Sequence, residues 1–216
     1  LPSQDISSPS SGPEIVSMDI NKPENLEVFK TKNKLAGDAV LSRNGKYIYA
    51  ASNPDLLGCF DLEKNQIVAP IKVGNEPKGM CFSPVQNYLA VTGYGSDSVT
   101  LVDTDYNNPV ATLKSTGKGP VAVCFSSTGQ ELFVVNKTSM TVDAMEITGN
   151  VTGSIKIDGS PVDIINPDLN NNLYVSVWDK NQILVIDGEK RQIVSQITTS
   201  DSPGKIAFSK ERKMIA

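Results

Sequence analysis

A repeat of about 42 residues constrains this chain more than any other feature. A small residue three places before a proline recurs as Gly74-Asn75-Glu76-Pro77, Gly117-Lys118-Gly119-Pro120, Asp158-Gly159-Ser160-Pro161 and Ser200-Asp201-Ser202-Pro203, with the prolines 43, 41 and 42 residues apart. Acidic residues keep the same step: Asp61, Asp103, Glu146 and Asp187 are separated by 42, 43 and 41 residues, and Asp19 stands 42 before Asp61. Each turn leads into an apolar segment, Met80-Cys81-Phe82-Ser83, Val123-Cys124-Phe125-Ser126 and Ile206-Ala207-Phe208-Ser209, with Ala39-Val40-Leu41-Ser42 upstream and Asp163-Ile164-Ile165-Asn166 as a degenerate copy. Independent markers that share one period mean that a single supersecondary unit is stacked on copies of itself.

Within one period the pattern is four short strands. Residues 121–126 are apolar, a turn follows at Ser127-Thr128-Gly129, and β-rich runs occupy 132–135, 142–147 and 151–157. Gly, Asn, Asp and Ser punctuate the gaps, and no segment sustains a 3.6-residue apolar period. Four strands in about 42 residues predict an all-β fold, a β-propeller of four-stranded blades. The predicted organisation is a Ser/Pro-rich flexible leader at 1–13, a partial blade at 14–35, full blades at 36–77, 78–120, 121–161 and 162–203, and a partial blade at 204–216. The end pieces make a fifth blade if the ring closes on itself. The stop at Ala216 midway through a strand favours instead a piece of a larger ring.

The repeat resembles the YVTN-type family of surface-layer and periplasmic propeller proteins. Phe133-Val134-Val135-Asn136 and Leu173-Tyr174-Val175-Ser176 match its β-rich strand, and Val99-Thr100-Leu101-Val102-Asp103 and Ile183-Leu184-Val185-Ile186-Asp187 match its Val-rich strand ending in Asp. Val73-Gly74-Asn75-Glu76-Pro77 matches its turn, and Phe82-Ser83-Pro84 with Ser42-Arg43-Asn44-Gly45 matches the segment after it. The similarity covers nearly all of residues 15–216. It implies a propeller, commonly of seven blades, that binds or scaffolds in an extracytoplasmic setting. WD40 repeats fit less well, because Trp178-Asp179 falls just after a second strand.

Composition narrows the chemistry. The 216 residues contain no His, which removes Ser-His-Asp and Cys-His nucleophilic machinery, the commonest zinc sites and any His-ligated heme. A net charge of −4 with scattered Lys and Arg argues against nucleic acid as a partner, and no apolar run is long enough for membrane insertion. Cys81 and Cys124 align with Val40, Ile164 and Ala207, and Cys59 aligns with Leu101, Ala144 and Val185. Positions that accept aliphatic residues in sister blades are core positions, so the three thiols are expected to be buried. The recurrent acids sit one per blade, too far apart to share a cation, and are expected to accept turn N–H groups. No metal site, cofactor or catalytic set is predicted.

The variable positions carry the expected binding face. Asn53, Tyr94, Lys137 and Trp178 align after the second strand of each blade, with Asp97 and Asp179 beside them, at the end where blades are joined. Exposed aromatics there suit a protein or glycan partner, against the plainer reading of loop residues packing on neighbouring blades. The expected function is therefore a non-catalytic binding or scaffolding propeller. The alternatives are a lactonase- or quinoprotein-like enzyme using carboxylates and arginines, or a structural surface-layer component. Asn136-Lys137-Thr138 and Asn150-Val151-Thr152 are glycosylation sequons that matter only in a secreted protein.

Overall fold

The computed structural model describes residues 14–19, 22–30, 34–115, 117–167, 171–209, 211–212 and 214–216, with side chains from residue 34 onward. The leader predicted at 1–13 lies outside the described residues. A two-stranded sheet comes first, β1 (Glu14–Asp19) against β2 (Lys22–Lys30). Four four-stranded antiparallel sheets follow in chain order. They are β3 (Leu35–Leu41), β4 (Tyr47–Ser52), β5 (Leu56–Asp61) and β6 (Gln66–Lys72); β7 (Pro77–Phe82), β8 (Tyr88–Gly93), β9 (Ser98–Asp103) and β10 (Asn108–Lys114); β11 (Pro120–Phe125), β12 (Glu131–Asn136), β13 (Thr141–Glu146) and β14 (Val151–Lys156); and β15 (Pro161–Ile165), β16 (Asn172–Val177), β17 (Gln182–Asp187) and β18 (Gln192–Thr198). The short pair β19 (Phe208–Ser209) and β20 (Met214–Ile215) ends the described chain. Among the described residues there is no α-helix, only two single 3-10 turns at Tyr94–Ser96 and Trp178–Lys180. Among the described residues no helix is long and apolar enough to cross a membrane.

Each full sheet is a meander whose first strand is innermost, and β3, β7, β11 and β15 pack side by side around one axis. This is a β-propeller. Its apolar clusters lie between blades: Tyr49, Leu57 and Ile71 meet Met80, Leu89 and Val91; Val99, Leu101 and Leu113 meet Phe125, Leu132 and Met145; Phe133, Val142 and Ile155 meet Leu173, Val175 and Ile186. No blade buries its own face, so stability depends on the neighbour. Ile71, Leu113 and Ile155 hold one register position on successive outer strands and are 3%, 6% and 7% exposed, whereas Ile197 holds it on β18 and is 45% exposed. The distal face of the fourth full blade is thus uncovered among the described residues.

The recurring markers have local causes. Asp61 Oδ1 accepts the Lys64 N–H at 2.9 Å, Asp103 Oδ1 those of Asp105 and Tyr106 at 2.8 and 3.2 Å, and Asp187 Oδ1 those of Glu189 and Lys190 at 3.0 and 2.9 Å. The Lys64 amide holds the Asp61 carboxyl below the usual carboxylate range. Glu146 is one methylene longer and serves differently, accepting the Thr148 hydroxyl at 3.0 Å. The turn glycines are anchored from the third strand of the blade they lead into. Gly74 N–H donates to Thr100 Oγ1 at 3.1 Å, and Gly117 N–H donates to Asp143 Oδ2 at 3.0 Å, from the same register position.

The innermost strands approach until backbone meets backbone. A Cβ on Gly79 would collide with the Val121 carbonyl oxygen and stand 2.7 Å from the Ala122 Cα. Gly79→Ala is expected to cost about 2 kcal/mol in urea unfolding, because neither strand can give way without moving a blade. Gly204→Ala, with nothing within 4 Å of the new methyl group, is the neutral control. Equal effects would contradict this account.

Candidate functional site

The predicted loop positions are equivalent in the structure. The N–H groups of Asn53, Tyr94, Lys137 and Trp178 donate to the carbonyls of Lys34, Glu76, Gly119 and Ser160 at 2.9, 3.0, 2.9 and 3.0 Å, each acceptor lying in the connection that enters the same blade. Their side chains do different things. The Tyr94 ring stands 2.9 Å from where a Cβ on Gly119 would be, and its hydroxyl is 3.5 Å from Thr138 Oγ1, so Tyr94 packs on the next blade. Asp97 accepts the Lys118 ammonium at 2.8 Å and the Gly119 N–H at 2.9 Å, contacts that hold its carboxyl low. Asp179 Oδ1 accepts the Ser160 N–H at 2.7 Å. Asn53 Oδ1 is buried without a partner among the described residues. Packing and turn capture therefore occupy Tyr94, Asp97 and Asp179, while Lys137 and Trp178 stay exposed, Trp178 at 54%. The sequon at Asn136 is closed: its side chain is fully buried, accepting the Ser115 hydroxyl at 2.9 Å and donating to Thr141 Oγ1 at 3.2 Å. Asn150 is exposed.

A cavity lies elsewhere. About 510 Å³ opens on the axis between the innermost strands, with Met80, Phe82, Val123 and Phe125 among its apolar walls. Arg43, Pro84 and Asn166 line it from the turns between first and second strands. In an antiparallel meander those turns stand at the far end of the second strand from Asn53, Tyr94, Lys137 and Trp178. None of the six predicted face residues lines the cavity.

Four charged side chains reach it: Asp38, Asp163, Lys205 and Arg43. Strand register places Asp38, Gly79, Ala122 and Asp163 at one level around the axis, and Lys205 precedes the matching apolar segment of the last piece. Lys205 Nζ lies 2.8 Å from Asp38 Oδ2 and 3.4 Å from Asp163 Oδ1. The Ile206 N–H donates to Asp163 Oδ2 at 2.8 Å. The last described segment thereby touches both the fourth full blade and the first. Arg43 is exposed and makes no ion pair or hydrogen bond among the described residues. It also lines a second cavity of about 240 Å³ with Asn87, Thr104 and Asp105.

The thiols are placed largely as expected. Cys59 and Cys124 are buried and Cys81 is half-buried, all three free. Burial pushes the Cys59 thiol up to about 11 and raises those of Cys81 and Cys124. One alignment needs correcting. Ile165, not Ile164, corresponds to Cys124, because Ile165 faces Tyr174 as Cys124 faces Phe133. The bulge after Pro161 has its counterpart after Pro120, so register keeps step with the prolines: Cys81, Cys124 and Ile165 each stand four residues after Pro77, Pro120 and Pro161. Cys81 and Cys124 line the axial cavity together.

A family model described as "Cytochrome D1 heme domain" matches residues 11–163, well over half the chain. The chain belongs to the cytochrome D1 heme domain family. Among solved structures, this family member is similar to Kuenenia stuttgartiensis hydrazine synthase, with a TM-score of 0.74 at 19% identity. The match covers 86% of this chain and 56% of that one, so the chain spans little more than half of its neighbour. At that identity the likeness concerns the fold. The curated proteins compared contain no match to this D1-domain chain.

Sequence reasoning missed the axial residues. The available signal was charge at Asp38, Asp163 and Lys205, on a level where sister strands carry only Gly79 and Ala122.

Proposed function

We propose that this chain is a non-catalytic, extracytoplasmic binding propeller that takes a small ligand into its axial cavity from the turn end. The observation that carries the reading is the cavity itself, about 510 Å³ with apolar walls and four charged side chains, within the usual range of small-molecule sites. The acids that reach the axis are engaged by Lys205 and the Ile206 amide, which suits positioning rather than proton transfer. The resemblance to YVTN-type repeats supports a binding role as well.

The family description names a heme, and the donors here do not fit one. Heme iron is held by His, Cys thiolate, Tyr or a Met that accompanies His. The chain has no His, burial disfavours the thiolate at Cys81 and Cys124, and Met80 is the remaining sulfur donor on the cavity wall. A second reading, a protein or glycan held at the opposite loop end, is supported by the exposure of Trp178 beside Lys180.

The test uses N-phenyl-1-naphthylamine, a neutral aromatic fluorophore. Saturable binding to the wild-type chain is expected, and Ala39→Trp, which fills the cavity from an exposed position on β3, is expected to weaken it at least tenfold with the melting temperature retained. Unchanged binding in that variant would remove the cavity from the proposal.

A further inference from the structure

We infer that the axial cavity is built for an aromatic or aliphatic monoacid, held by its anionic head at Arg43 with its apolar body directed inward. This rests on the reading of the cavity as a ligand site and names the ligand's chemistry.

Charge is arranged along the cavity rather than scattered in it. At the inner level Asp38, Lys205 and Asp163 are linked at 2.8 and 3.4 Å. Two carboxylates around one ammonium leave that level with one uncompensated negative charge. At the open end Arg43 carries the balancing positive charge with no ion pair or hydrogen bond among the described residues. Cys81 lies on the cavity wall between the two levels. A guanidinium with free donors accepts a carboxylate or sulfonate in a fork of parallel hydrogen bonds. An anion carried deeper would meet the inner acids. The head therefore stays at the mouth, and the body lies against Met80, Phe82, Val123 and Phe125.

The neighbouring 240 Å³ cavity sets a second limit. Arg43 shares it with Asp105, whose Oδ2 accepts the Asn87 amide at 2.8 Å. A second acid on the ligand would be repelled by Asp105, whereas a hydroxyl or amine donor would find an acceptor there. One acid is accommodated and two are not.

The experiment compares two probes that share a naphthyl–phenyl amine body, the sulfonate 8-anilinonaphthalene-1-sulfonate and the neutral N-phenyl-1-naphthylamine. Each is titrated into wild type, Arg43→Gln and Ala39→Trp. Arg43→Gln is expected to weaken the sulfonate about tenfold, the effect of losing a charge-assisted contact at a partly solvated site, and to leave the neutral probe within about twofold. Ala39→Trp is expected to weaken both. If Arg43→Gln leaves the sulfonate unchanged while Ala39→Trp abolishes binding, the cavity stands and the anion assignment falls. If Ala39→Trp changes neither probe, the cavity reading falls as well.

Discussion

Asp143→Ala is expected to lower the unfolding free energy by about 3–4 kcal/mol and the melting temperature by roughly 10 °C. Asp143 is fully buried on β13, the third strand of its blade. Its Oδ2 accepts the Gly117 N–H at 3.0 Å and the Ser115 hydroxyl at 3.2 Å, and its Oδ1 accepts the Ser154 hydroxyl at 2.6 Å. The first two donors belong to the connection between the second and third full blades, so one carboxylate fixes where the next blade begins. Truncation leaves the buried Gly117 amide without its partner, a cost of about 1–3 kcal/mol, and removes charge-assisted bonds from two hydroxyls. These contributions overlap and do not simply add. Asp143→Thr provides the comparison, because Thr100 holds Gly74 from the same position in the preceding blade. The threonine variant should recover about half of the loss. A loss below about 1 kcal/mol in Asp143→Ala, read by chemical denaturation, would show that the connection is held by other contacts.

The same pair of residues explains why the blade period was readable. Gly74 and Gly117 mark the turn in sequence because their amides are captured from the third strand while a Cβ at either would stand within 2.6 Å of the Ser96 and Ser98 hydroxyls or of the Asn136 side chain. The recurrent aspartates mark a second turn for a similar reason, with Asp61, Asp103 and Asp187 each accepting N–H groups two or three residues on. Local chemistry repeated in every blade leaves a periodic trace. The charges of the axial cavity leave none, because the sister positions of Asp38 and Asp163 are Gly79 and Ala122. Arg43 in one turn, Cys81 and Cys124 on adjacent strands, and Asp163 after a bulge meet only when the ring is assembled. Matching the apolar runs hid Asp163: it sets the residue beside Ala39 and Met80, whereas strand register, like the two-residue step from Pro77 to Gly79 and from Pro161 to Asp163, sets it beside Asp38 and Gly79. Tyr94 and Trp178 show the converse. Their alignment was correct, both opening equivalent 3-10 turns, but alignment does not reveal that Tyr94 lies on the next blade while Trp178 faces solvent.

Asp163→Ala is expected to cost about 2–3 kcal/mol, and the cause should be the Ile206 amide rather than the ion pair. The Lys205 side chain is 60% exposed and that of Asp163 9%, so solvent screens the charge interaction, and exposed pairs contribute about 0–1 kcal/mol. The Ile206 N–H is buried and donates to Asp163 Oδ2 at 2.8 Å; orphaning it costs about 1–3 kcal/mol. Asp38→Ala and Lys205→Met remove the ion pairs and leave the amide bond in place. Each should cost under about 1 kcal/mol, with Asp163→Ala well beyond both. Hydrogen exchange separates local from global effects: the Ile206 amide should exchange much faster in Asp163→Ala and close to the wild-type rate in Lys205→Met. Should Lys205→Met match Asp163→Ala in both stability and exchange, the ammonium would be the closing element. The last segment would then be held to the first and fourth full blades by charge, and its attachment would weaken with added salt.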